Sequence, residues 1–104
     1  MEFLVEFEIG IPDGTPASEV SDREQAEAVA AANLVEEGHL VRVWTRNVPS
    51  GRTTVLGLYR AEGESELDRL LGALPLHEWM SVTVTPLGPH PNDPVNPGQR
   101  PPQS

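Results

Sequence analysis

The chain has no cysteine and, because all seven of its basic residues are arginine, no lysine. Without cysteine there is no disulfide, no thiolate nucleophile and no sulfur-based metal site. Without lysine there is no Schiff-base chemistry and no amine acting as general base. No apolar run is long enough to cross a bilayer as a helix, and only 38% of the residues are apolar. Positive charge is scarce too: sixteen carboxylates face seven arginines, a net charge of −9. Such a balance argues against nucleic acid and anionic membranes as partners, since both would be repelled. The opening MEFLVEFEIG carries glutamates where a secretory signal would carry basic residues, so a cytoplasmic protein is expected.

What is present is the material of one small domain. A monomer of 104 residues buries only about two thirds of its unfolded surface, so self-association is expected on size alone. FLVEFEI alternates, with Phe3, Val5, Phe7 and Ile9 on one face, which predicts a strand. Pro12 to Pro16 reads as a loop. From about Ser18 to Glu37 there is no glycine or proline, and Gly38 is placed to cap a helix there. Its stripe runs through Val20, Glu27, Ala30, Ala31 and Leu34, so a glutamate interrupts an apolar face.

HLVRVWT predicts a second strand, with Leu40, Arg42 and Trp44 together on one face and Val41 and Val43 on the other. A turn-rich link from Asn47 to Gly51 leads into RTTVLGLYR, which makes a hairpin. Glu64 to Leu74 predicts a second helix with Leu67, Leu70, Leu71 and Leu74 on its apolar stripe, and Ser65 with Asp68 resembles a capping box. Pro75 ends it. WMSVTVT is the fourth strand, with Met80, Val82 and Val84 on one face and Trp79, Ser81, Thr83 and Thr85 on the other. The order β-α-β-β-α-β predicts an α+β, ferredoxin-like fold: a four-stranded antiparallel sheet with two helices on one face. The other face carries Trp44 and further apolar groups with no helix to cover it, so a second subunit is the natural cover. Residues 1–88 make this domain. Residues 89–104 form a tail with six prolines in sixteen positions, extended or disordered in its distal part.

Few residues suggest chemistry. Glu27 on an apolar face would lose water and become a better general base, unless it sits at the edge of the stripe paired with Arg23. Arg42 offers a planar fork for a carboxylate and Trp44 a flat apolar wall, although a subunit interface is the plainer account of both. His39 follows the helix cap, His77 lies at a corner and His90 in the tail. The three histidines are far apart and lack metal-ligand spacing. No phosphate loop or nucleophile elbow is present, and no cofactor is expected.

Several stretches together resemble the muconolactone isomerase family: the opening FLV strand, the helix glutamate, GHLVRVW, GRTTVLGLY, LDRLLGALPLHEWM, VTPL and HPNDP, spanning about residues 1–94. The resemblance implies the ferredoxin-like fold, sheets paired into dimeric α+β barrels, and dimers assembled into ring-like decamers. It implies a cofactor-free isomerase that shifts a proton within a small unsaturated lactone, with Glu27 as the shuttling base. Arg23 or Arg42 would hold a substrate carboxylate or the dienolate oxygen, Trp44 would line the pocket, and His39 or His90 would donate a hydrogen bond. The degradative members place a lysine near the helix glutamate, an arginine where Thr45 stands, and LPL-F-P-W where this chain reads Leu74-Pro75-Leu76-His77-Glu78-Trp79. Fewer cations imply a less anionic substrate than muconolactone. Two other functions use the same scaffold: a cyclase, dehydratase or cofactor-independent oxygenase acting on a polyketide-like metabolite, and a non-catalytic small-molecule binder.

Overall fold

The computed structural model describes residues 1–47 and 53–95. The link expected after Asn47 and the distal part of the Pro-rich tail lie outside those residues. In chain order the elements are β1 (Glu2–Ile9), α1 (Ala17–Glu36), β2 (Leu40–Asn47), β3 (Thr53–Arg60), α2 (Glu64–Gly72), a short 3-10 turn (His77–Trp79) and β4 (Met80–Leu87). The strands form one antiparallel sheet in the order β2-β3-β1-β4. This is the expected ferredoxin-like arrangement.

Alternation along β1 sets the two faces of the sheet. Phe3, Val5 and Phe7 are buried, and they pair across with Tyr59, Gly57 and Val55 on β3 and with Pro86, Val84 and Val82 on β4. Side chains alternate between faces, so these partners share the face that meets the helices. Leu34 from α1 and Leu67 and Leu71 from α2 join Phe3, Val5 and Phe7 in one core. Each large apolar side chain buried there contributes about 1.5–3 kcal/mol. α2 has only nine residues, too few to persist alone in water, so its leucine stripe holds it in place.

Gly38 ends α1 as its position suggested. It takes φ +81°, a left-handed conformation that glycine adopts without a Cβ clash. The Gly38 N–H then reaches the Val35 carbonyl at 3.1 Å and the His39 N–H the Leu34 carbonyl at 2.9 Å, a Schellman closure. The chain turns at once into β2.

Two local expectations are corrected. A β-bulge separates Leu40 from Arg42. The extra residue shifts the alternation by one position. Leu40, opposite Tyr59, therefore faces the core and is buried, while Arg42 and Trp44, opposite Leu58 and Leu56, stand on the open face. The second correction concerns α2, whose N-cap is Gly63, with no side-chain cap bond. Ser65 already lies inside the helix, and the backbone N–H of Glu62 is taken by the Glu66 carboxylate at 3.0 Å.

Candidate active site

The stripe of α1 faces the sheet, and Glu27 lies on it one turn before Ala31. Between this turn and the sheet is a cavity of about 170 Å³, lined by Phe7, Ile9, Glu27, Ala31, Leu40, Val43, Val55, Gly57, Tyr59, Leu76 and Met80. Apart from Glu27 and Tyr59, the described lining side chains are apolar. The bulge in β2 contributes directly, because the shifted alternation turns Val43 toward this space, opposite Gly57.

The carboxylate of Glu27 is held on one side only. Its Oε1 accepts the backbone N–H of Leu76 at 3.0 Å. That N–H is presented by the corner between α2 and β4, where the Leu74-Pro75-Leu76 segment passes into the 3-10 turn. No described residue hydrogen-bonds to Oε2, which leaves its lone pairs for a guest in the cavity.

Arg23, one turn earlier, braces the same corner from outside. It pairs with Glu78, reaches Glu19 at 3.5 Å and donates to the Pro75 carbonyl at 3.3 Å. Its guanidinium lies 4.5 Å from the centre of the Trp79 ring. Hydrogen bonding to Glu78 pushes its pKa above the ordinary arginine value. Arg23 therefore fixes α1 to the segment that carries Leu76, and it pairs with Glu78 and Glu19, not with Glu27.

Tyr59 is the cavity residue that sequence analysis missed. It sits at the end of β3, buried, with its ring 6.2 Å from that of Phe7 in an edge contact. Gly57 makes the room: a Cβ there would come within 2.6 Å of Tyr59 Cε1. Desolvation, and after it the nearby charge of Glu27, pushes the phenol up to about 12. The signal in the sequence was the alternation of β3, which puts Tyr59 on the helix-facing side with Val55. What it lacked was any sign that α1 brings Glu27 to the same place.

That phenol has a measurable consequence. The chain has one tyrosine, no cysteine and no lysine, so between about pH 9 and 12 Tyr59 is the only side chain expected to lose a proton. The unfolded phenol ionises near pH 10 and the folded one near 12. Raising the pH through this window therefore draws the equilibrium toward the unfolded state. Stability is expected to be constant up to about pH 10 and then to fall by up to about 1.4 kcal/mol per pH unit. Urea unfolding across this range checks it, with Tyr59→Phe expected to remove the fall.

The other singled-out residues lie elsewhere in the chain. Arg42 stacks on Trp44, 5.0 Å from its ring centre, on the open face of the sheet. His39 is half-buried and its Nδ1 donates to the Arg60 carbonyl at 2.8 Å. His90 lies beyond β4 and its Nδ1 accepts the Asn92 N–H at 3.0 Å. None of these three sites lines the Glu27 cavity. Among the described residues no group of three or more histidine, aspartate or glutamate side chains converges as a metal site would.

Known proteins resemble this chain in sequence and in fold. A family model for muconolactone delta-isomerase matches residues 1–93. The muconolactone Delta-isomerase of Cupriavidus pinatubonensis is 32% identical over 92 residues, covering 88% of this chain and 97% of that protein. Muconolactone Delta-isomerase 1 of Acinetobacter lwoffii is 35% identical over 95 residues, covering 88% and 93%. Among solved structures, a muconolactone isomerase superposes with a TM-score of 0.77 at 22% identity, covering 90% of this chain and 95% of that one. The 5-chloro-2-hydroxyhydroquinone dehydrochlorinase of Burkholderia phenoliruptrix gives 0.61 at 14%, covering 85% and 94%. At such identities these two likenesses speak for the fold. The family match runs from β1 through β4 and takes in the helix glutamate and the corner that tethers it: the chain belongs to the muconolactone delta-isomerase family.

Proposed function

We propose that this protein is a cofactor-free isomerase that moves a proton beside the carbonyl of a small unsaturated lactone, with Glu27 as the base. The observation that carries this is the half-tethered carboxylate in a small apolar cavity. Conjugation to the lactone carbonyl acidifies the hydrogen to be removed. The Glu27 carboxylate takes that proton, the electron pair of the broken C–H bond spreads into a dienolate, and the same carboxyl group returns the proton at the far end of the allylic system.

Cavity size and charge narrow the substrate. About 170 Å³ is below the roughly 300–1,000 Å³ of pockets for drug-sized ligands, so a single ring fits and a polycyclic metabolite does not. This weighs against the cyclase and oxygenase alternatives, and Glu27 facing the cavity weighs against a mere binder. No arginine or histidine is among the described residues lining the cavity, and Arg23 is engaged by Glu78 and Glu19. An uncharged or weakly anionic butenolide suits this lining better than muconolactone.

The test is proton NMR in deuterated buffer with muconolactone and with uncharged butenolides. Deuterium entering beside the carbonyl supports the reading, and faster exchange of the uncharged lactones supports the narrower one. No exchange with any lactone removes both.

The active form is proposed to be at least a homodimer, in the cytoplasm. The open sheet face presents Trp44, 39% exposed, with the half-buried Leu4, Leu56 and Leu58 beside it. A charge introduced there would be trapped in an apolar contact between subunits. Trp44→Glu is expected to shift the protein to monomers in analytical ultracentrifugation, and an unchanged mass would reject this face as the contact.

A further inference from the structure

The cavity presents a chemical problem that Glu27 alone does not solve. When a proton leaves a carbon conjugated with a lactone carbonyl, negative charge collects on the carbonyl oxygen, and in an apolar enclosure that oxygen needs a hydrogen-bond donor. Glu27 is an acceptor while it acts as base. The Leu76 N–H is already taken by Glu27 Oε1. Among the described lining side chains, Tyr59 alone has a polar hydrogen to give while Glu27 acts as base.

Its placement suits that task. Tyr59 and Glu27 line the same small cavity, one from the sheet and one from the helix. The Tyr59 hydroxyl makes no hydrogen bond with any described residue, and it is not among the polar atoms sealed in protein without a partner. Edge contact with Phe7 and the space above Gly57 hold the ring.

We propose that Tyr59 is a second catalytic group of this site, donating a hydrogen bond from its phenol to the carbonyl oxygen that becomes the dienolate oxygen. This rests on the isomerase reading. The phenol keeps its proton throughout: Glu27 breaks the C–H bond and carries the proton, and Tyr59 only holds the oxygen on which the charge collects. Its upward-shifted pKa keeps it a donor across the neutral range. The two groups divide the chemistry, base on α1 and donor on β3.

Tyr59→Phe keeps the ring, its contact with Phe7 and its fit over Gly57, and removes the hydroxyl alone. With circular dichroism unchanged, kcat on a lactone that the wild type isomerises is expected to fall about 100-fold, as when one oxyanion donor is removed, with KM little changed. The single tyrosine of the chain gives a second readout that needs no turnover. Adding an uncharged butenolide should shift the tyrosine ultraviolet band of the wild type as the phenol gains a hydrogen-bonding partner. An unchanged kcat in Tyr59→Phe overturns the assignment and leaves Glu27 as base intact. A wild type inactive on every lactone defeats the isomerase reading. In that case the band decides for Tyr59: a shift supports a carbonyl held by the phenol, and no shift overturns it.

Discussion

Glu27→Gln is expected to lower the isomerisation rate by about 10²–10⁴-fold, the contribution of a positioned general base, and to abolish deuterium uptake beside the lactone carbonyl. Glutamine is close to glutamate in shape, and its carbonyl oxygen can still accept the Leu76 N–H that Oε1 accepts at 3.0 Å. The corner between α2 and β4 therefore keeps its tether, and unfolding by urea should change little. What is lost is proton affinity at Oε2, the oxygen with no partner among the described residues. The measurement is NMR exchange in deuterated buffer for the two proteins side by side. Wild-type exchange in a correctly folded glutamine variant would exclude Glu27 as the base.

Leu67→Ala should be among the most damaging single changes to stability. Leu67 is fully buried, and deleting a buried leucine side chain costs about 2–5 kcal/mol in transfer and cavity terms. A domain of this size is stable by only about 5–15 kcal/mol, so the variant loses a large share of its margin. The effect should reach the site as well. α2 is held by Leu67 and Leu71, with Leu74 just beyond it in the same core, and the chain leaving it presents the Leu76 N–H to Glu27. A loosened α2 loosens that tether, so activity is expected to fall at temperatures where the variant is still folded. Urea denaturation checks the first claim, with half-buried Leu70→Ala as the milder comparison. A loss for Leu67→Ala no larger than that of Leu70→Ala would show that α2 is not anchored as described.

The readings that agreed with the structure and those that missed differ in range. The apolar stripes of both helices, the Gly38 cap and the alternation of β1 and β4 depend on neighbours a few residues away, and such patterns are written along the chain. The β2 bulge was not written there: Leu40 to Trp44 alternates plausibly in either register, and pairing with β3 chose one. The Ser65 capping box was a motif in the right neighbourhood, displaced because Gly63 is the N-cap and Ser65 lies within the first turn. Arg23 was visible as a neighbour of Glu27 one turn away, yet Glu78, fifty-five residues along the chain, took its charge.

By itself, the sequence of this protein determined the order of strands and helices, most of the apolar stripes that form the core, the exclusion of thiol and lysine chemistry, and the presence of one carboxylate, Glu27, on an apolar helix stripe. These follow from composition and from short periodicities that each residue imposes on its neighbours. Only the tertiary structure decided that Glu27 takes the Leu76 N–H, that Tyr59 lies over Gly57 beside the same cavity, and that Leu40 turns away from Arg42 and Trp44 to face the core. Those facts depend on contacts between residues distant in the chain, where strand register and helix docking set which side chains meet. A periodic pattern says which way a side chain points, and packing says what it meets there.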